Sequence, residues 1–328
     1  MEDVARLAGV SRSLVSLVFQ DAENVSSARR AAVLKAAQSL GYRPNRLARN
    51  LARGRSMTIG VVVDDLHPFF ARAVEGVERH VETCGYHALI ANSARDSGRT
   101  VAALANFDDL RVDGVIAVGA RGDVAELIAA TPSTPLVLVA SEAAATNVDS
   151  VISDESTGSA LAVQHLFDQG HRRIMHVDGG LGASAAARRA GYCAAMKQLG
   201  LGVTTDVLES DFTHDAGQKA AIEIADRAER ATAIFAANDL NALGLMSEFN
   251  RLDVRVPEDI SIVGYDDTAV VGLGTQGLTT IHQPVFEMGT RAAELLLERM
   301  TDQRSNVTHE VLVPRLVIRS STAALPLS

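Results

Sequence analysis

Over the first twenty residues, apolar positions recur at the spacing of a helix and do not alternate. In DVARLAG, Val4, Leu7 and Ala8 fall at i, i+3, i+4 and predict one helical face, ended by Gly9 as a left-handed residue. Ser11 has the chemistry to cap a second helix, with Val10 tucked between the two. Along SRSLVSLVFQ the spacing turns Val15, Val18 and Phe19 inward and Arg12, Ser13, Ser16 and Leu17 outward. A third helix, capped at Ser26, runs through Val33, Leu34 and Ala37 to Gly41. Two short helices joined by a Gly-containing turn are the layout of a helix-turn-helix, whose second helix enters the major groove. Small helical bundles share that spacing.

In the next stretch, YRPNRLARNLARGRS, Pro44 marks a helix start and Leu47 and Leu51 fall on one face. Its eight or nine helical residues are too few to be stable alone in water. It is expected to be a linker that becomes helical only against a partner. Five arginines and a leucine suit backbone contact and an apolar wedge in the minor groove. A merely flexible linker is the plainer alternative.

From Met57 on, short apolar runs alternate with helix-length segments. TIGVVVDD, HALIANS, GVIAVG and PLVLVA form one set, with helices such as 71–84 and 100–110 between them. SVISDE, RRIMHVDG, TAIFAAND and ISIVGYDD form a second. LTTIHQP, a helix at 285–302 and EVLVPRLVIRS finish the chain. Repeated strand–helix units predict parallel sheets with helices on both faces, here as two similar lobes.

Charge changes this picture more than composition does. The 328 residues are ordinary globular material with a net charge of -9, yet residues 1–57 carry ten Arg or Lys against four acids. A head at +6 on a body at -15 is a nucleic-acid footprint confined to one end. Arg12 is the best candidate for a base edge, since a guanidinium can bond guanine O6 and N7 together. Ser13 and Ser16 can reach bases or phosphates. Cys84 and Cys193 are the two cysteines, with no CxxC and no zinc-like cluster, which suits a reducing cytoplasm. The N-terminus lacks the basic start and apolar run of a signal peptide, and no segment is long and apolar enough for a bilayer.

In open α/β sheets, ligands bind beyond the carboxyl ends of the strands. There the sequence places Asp64 and Asp65 with Phe69 and Phe70, then Asp154, Asn238 with Asp239, and Asp266 with Asp267. Arg188 and Phe212 lie in the corresponding connections of the second set. Polar groups of this kind bond hydroxyls, and the rings pack on the apolar face of a sugar or on a base. Asp and Asn at strand ends are also ordinary caps of the next helix. Residues 272–277 spell G-x-G-x-x-G, but they lead into a strand, and position 297 is Leu where a dinucleotide site wants an acid. No nucleophile motif, metal cluster or phosphate loop points to an enzyme, and no cofactor is expected.

The run DVARLAGVS, NVSSARRAAV, GYRPNRLARNLA, TIGVVVDDLHPFF, VDGVI, HLFDQGHRRI, ARRAGY, AIFAAND, PEDISIVGYDD and LTTIHQP, in order over nearly the whole chain, resembles the LacI/GalR family of bacterial regulators. The resemblance implies an N-terminal all-α helix-turn-helix head and an α/β, two-lobed, periplasmic-binding-protein-like core. The core is expected to be doubly wound on parallel sheets, with three interlobe crossovers. The boundaries expected are a head at 1–43 and a hinge helix at 44–56. The N-terminal lobe takes 57–153 and 284–310, the C-terminal lobe 154–283 and 311–328. By motif position the effector site falls on Phe69, Phe70, Asp154, Arg188, Phe212, Asn238 and Asp266. The DNA-facing set is Arg12, Ser13, Ser16, Leu17 and Ser26 in the head, with Asn45, Arg46, Ala48, Arg49 and the wedging Leu51 in the hinge.

The implied protein is a cytoplasmic homodimer on a near-palindromic double-stranded operator, with no membrane partner. Its effector is a small molecule between the lobes, a sugar in preference to a nucleoside or purine. The alternative is a solute-binding protein for sugar transport with a non-functional head. Three departures from the family pattern matter. The family has several residues ahead of the first helix, so this start at Met1 is expected to weaken DNA binding. Leu14 and Leu17 replace a customary Thr and Arg, so the operator should differ, with leucine against a thymine methyl. No leucine-heptad tail follows Ser328, favouring a dimer over a tetramer.

Overall fold

The computed structural model describes residues 1–19, 22, 24–42, 55–141, 147–182, 184–227, 231–272 and 277–325. They fall into two units, Met1–Ser56 and Met57–Ser328.

The first unit holds three helices, α1 (Glu2–Ala8), α2 (Arg12–Phe19) and α3 (Ser27–Ser39). Gly9 ends α1 in the left-handed region at φ 64°, where a side chain would be strained. The Ser11 hydroxyl accepts from the Leu14 amide at 3.2 Å and so caps α2. Val4, Ala5, Val15, Val18, Val25, Val33, Ala36 and Ala37 form the core. Three side chains depart from the spacing argument. Leu7 and Leu34 are exposed, because α1 and α3 present Ala5 and Ala36 inward in their place. Leu17, expected to face outward, is half-buried against this core together with Leu14.

The second unit is built on two six-stranded sheets. In the first, β1 (Thr58–Val63), β2 (His87–Asn92), β3 (Gly114–Val118), β4 (Leu136–Val139), β5 (Asp149–Ser153) and β11 (His309–Leu312) lie in the order β11-β5-β4-β3-β1-β2, all parallel. In the second, β6 (Ile174–Val177), β7 (Asp206–Leu208), β8 (Ala233–Ala236), β9 (Ser261–Asp266), β10 (Thr279–His282) and β12 (Arg315–Val317) lie in the order β12-β10-β9-β8-β6-β7. Only β12 runs antiparallel to its neighbour there. Each sheet has apolar clusters on both faces, as double winding requires. The connecting helices are α4 (Pro68–Thr83), α5 (Ser97–Asp109) and α6 (Val124–Ala129), then α7 (Glu155–Asp168), α8 (Ala185–Gln198), α9 (His214–Asp226), α10 (Asp239–Arg251) and α11 (Val285–Met300).

The chain passes between the sheets three times: after β5, after β10 and after β11. Two expectations are corrected by this pairing. SVISDE does not open the second set, because β5 pairs with β4 in the first sheet. The boundary at 310/311 is misplaced, because His309–Leu312 pairs with 150–153 before the chain crosses at Val313 and Pro314. Helices α4 and α11 pack backbone to backbone, since a Cβ on Gly76 would overlap the Phe286 carbonyl and one on Gly289 the Ala73 carbonyl.

Candidate functional site

Between the two sheets lies a cleft, partly open to solvent, the kind of concave place where small molecules bind. Its lining comes from the carboxyl ends of strands in both sheets. Asp64 follows β1, Arg95 β2, Arg121 β3 and Ala140 β4; Phe212 follows β7, Asn238 β8 and Asp266 ends β9. Parallel strands that all point the same way gather these loops at one edge.

On the first sheet's side, His67 caps α4, its Nδ1 accepting from the Phe69 amide at 3.1 Å. The cap directs Phe69 and Phe70 to the cleft, edge to face at 5.2 Å. Gly119, at φ +66°, allows the approach: a Cβ there would overlap the Phe70 ring. The Arg121 Nε donates to both oxygens of the buried Asp64, at 3.0 and 3.1 Å. Burial outweighs Arg121 and raises the Asp64 carboxyl above the usual aspartate value.

On the second sheet's side, Arg188 is 3% exposed yet charged. Its Nε and Nη2 meet Glu155 at 3.0 and 2.9 Å, and Nη1 donates to the Ala237 carbonyl. The Phe212 ring lies 5.6 Å from this guanidinium, in room left by Gly179 and Gly182, where a Cβ would overlap it. Asn238 spends Oδ1 as the cap of α10 and donates Nδ2 to the Phe212 carbonyl at 3.2 Å. Asp266 sits at φ 111° and accepts from Gln283 Nε2 at 2.7 Å. Burial pushes its carboxyl well above the ordinary range against the pull of Arg188, so it holds its proton to a higher pH. Behind it, the wholly buried Asp239 takes hydrogen bonds from Thr280 and from both the amide and hydroxyl of Thr268.

Of the residues expected at the effector site, Phe69, Phe70, Arg188, Phe212, Asn238 and Asp266 line this cleft together. Asp154 does not. It lines an adjoining recess that shares Ala140 and Ser184 with the cleft, and its carboxylate caps α7 through the Thr157 amide and hydroxyl. Arg121, Gln283, Arg95 and His67 line the cleft and were not anticipated. Arg121 stands two residues beyond the GVIAVG strand and Gln283 one beyond LTTIH, so the rule of strand ends would have found both.

In the head, Arg12, Ser13 and Ser26 are exposed and Ser16 is half-buried. Ser26 occupies the cap position of α3 but makes no capping bond with its side chain. Asn45, Arg46, Ala48, Arg49 and Leu51 lie outside the described residues. Among the described residues no His, Cys, Asp and Glu group suits a metal ion, and no helix is long and apolar enough to cross a membrane.

Comparison with known proteins matches both units. Residues 1–45 fit the family described as bacterial regulatory proteins, lacI family, and residues 163–322 fit the periplasmic binding protein-like domain. The HTH-type transcriptional repressor PurR of Vibrio vulnificus is 33% identical over 98% of both chains. The repressor CytR of Escherichia coli is 34% identical over 99% of this chain and 97% of its own, and the ribose operon repressor of Escherichia coli 34% over 98% and 99%. Among solved structures, the lac repressor dimer bound to operator and the anti-inducer ONPF superposes with a TM-score of 0.90 at 30% identity, covering 98% of each chain. A regulator from Enterococcus faecium with bound ribose gives 0.75 at 29%, over 82% of this chain and all of that one.

Proposed function

Because the chain belongs to the lacI family of bacterial regulatory proteins, we propose that it is a cytoplasmic transcriptional repressor, a homodimer on a near-palindromic operator, governed by a sugar held in the cleft. The observation that carries this reading is the cleft's lining. Carboxylates, guanidiniums, amides and three Phe rings converge there from both sheets, in a chain that also carries a basic helix-turn-helix head.

Affinity for DNA comes from arginines on phosphates, which release counterions and make binding fall steeply with salt. Arg12 and Ser13, exposed at the start of a capped helix, supply base contacts. Leu17, half-buried, shows a neighbouring base only part of its side chain. Leu51 wedges the central operator step from the hinge. In the cleft the polar groups bond hydroxyls, while Phe70 and Phe212 cover the apolar face of a ring. The ribose named for one relative and one neighbour supports a pentose. A nucleoside is the second reading, favoured by the aromatic share of the lining. The effector acts by its difference in affinity for two arrangements of the lobes, which alters operator binding through residues 44–56.

The test is selection of binders from a randomised duplex pool, followed by anisotropy on the recovered site with and without D-ribose, D-glucose and adenosine. A near-palindrome whose binding shifts with a sugar is the expected result. Sequence-independent binding alone, after selection at moderate salt, overturns the repressor reading. A recovered site that answers only to adenosine overturns the sugar.

A further inference from the structure

Three arginines line the cleft, Arg95 and Arg121 on the first sheet's side and Arg188 on the second's, and the hydrogen bonding of Arg121 and Arg188 differs. Arg188 is spent: Nε and Nη2 are on Glu155 and Nη1 on the Ala237 carbonyl. Arg121 engages Asp64 through Nε alone, and its Nη1 and Nη2 have no protein partner among the described residues. Its side chain keeps 21% of its exposure and lines the cleft. Asp64, 5% exposed, spends one accepting site on each oxygen and has others left. The pair therefore presents a carboxylate with accepting sites left and, held beside it through Nε, a guanidinium with Nη donors left.

Two hydroxyl groups on neighbouring carbons present the complementary arrangement. One donates to the carboxylate, and the other accepts from the guanidinium. A single hydroxyl, a ketone or an apolar ring edge would leave half of the pair unmet in a partly desolvated site. We propose that Asp64 and Arg121 read a vicinal diol of the effector, and that this pair sets the specificity of the cleft. This inference rests on the sugar-binding reading above and narrows it to ligands with adjacent free hydroxyls. Gly119 and Phe70 support the geometry from the neighbouring wall, because the ring packed over Gly119 covers the ligand's apolar face beside the pair.

Calorimetry on the full chain tests it, with D-ribose, 2-deoxy-D-ribose and 3-deoxy-D-ribose as titrants. Any vicinal diol of an aldopentose ring includes the hydroxyl on C2 or C3, so at least one deoxy sugar lacks the diol that is read. A site built to bond a hydroxyl discriminates strongly against its absence. The expected result is binding about 100-fold weaker for at least one deoxy sugar, shrinking to under about 10-fold in Arg121→Gln. Should Arg121→Gln fold poorly with Asp64 left unpaired, the double variant Asp64→Asn/Arg121→Gln removes both charges and must show the same loss of discrimination. Ribose binding with no gap, or with a gap unchanged in the variants, overturns the diol inference and leaves the sugar reading standing. If D-ribose fails to bind, and D-xylose and D-glucose titrated in the same way fail too, both readings are overturned.

Discussion

The guanidinium carbon of Arg188 lies 3.5 Å from the centre of the Tyr265 ring, stacked on it while its nitrogens hold Glu155 and the Ala237 carbonyl. The cation is thus satisfied on its face and its edge, and it is this that lets a charge persist at 3% exposure beside the ligand space. One consequence concerns stability. Arg188→Met leaves Glu155 without its partner and should cost about 3 kcal/mol. In urea unfolding, the double variant Arg188→Met/Glu155→Gln should recover part of that loss. Simple additivity in the cycle would mean the two side chains are not coupled.

Asp149 on β5 anchors the segment that follows α11. Burial pushes its carboxyl up, but hydrogen bonds from Arg304, Arg299 and the Thr308 amide outweigh it and hold it at about 2. A carboxyl depressed in the folded state stabilises fully above its unfolded value of about 4, and that contribution disappears as pH falls toward 2. Asp149→Asn should therefore lower stability by about 3 kcal/mol at pH 7 and flatten the acid limb between pH 4 and 2. Urea midpoints that run parallel for both proteins over that window would contradict this.

Asp239 has the opposite sign. Burial raises its carboxyl to about 6, despite the hydrogen bonds from Thr280 and Thr268. The folded state holds the proton between about pH 4 and 6 while the unfolded state releases it, so stability falls as pH rises through that window. Asp239→Asn should remove its share of this slope, leaving the shares of Asp266 and Asp64, whose carboxyls burial also raises. A slope left intact, measured with Asp149 in place, would assign it to another group.

Gly289 lies against the backbone of Ala73, so an added methyl must push α11 away from α4. Gly289→Ala should cost about 2 kcal/mol, in the range of overpacked cores. Thermal unfolding at the wild-type midpoint would refute close packing here.

In the head, Ser11→Ala removes the cap of α2 and should cost about 1 kcal/mol. Leu17→Ala should destabilise the head as well as change operator preference, because this side chain packs on the core. An altered preference with unchanged head stability, followed by amide exchange, would instead place Leu17 on the DNA face alone.

Much of this was legible in the sequence. Apart from β7, too short at three residues to stand out as an apolar run, the strands after Met57 stand where apolar runs predicted them, and the helix-turn-helix follows from a glycine, a serine and a few valines. What escaped was set by pairing over long distances. Whether β5 belongs with β4 or with β6 depends on a neighbour more than 150 residues away, His309–Leu312, which no local period encodes. Pro314 marked the break in EVLVPRLVIRS, but only the register shows that the halves enter different sheets. The helix faces of the head misled at Leu7, Leu17 and Leu34, because in helices this short a small alanine can displace a leucine from the centre. In the cleft, Asp154 satisfied the strand-end rule and serves as a helix cap in an adjoining recess. Arg121 satisfies the same rule three residues past β3, hidden behind Gly119 and Ala120 in the sequence.

The three passages between the sheets have a mechanical meaning. One connection would let the lobes swivel freely, and two would still leave an axis of twist with little resistance. Three strands of backbone, each leaving one sheet directly for the other, act as parallel leaves of a flexure. They resist sliding and separation and leave opening and closing as the soft direction. A molecule bound across the cleft therefore works against few degrees of freedom, and the strain it introduces is delivered as one concerted displacement.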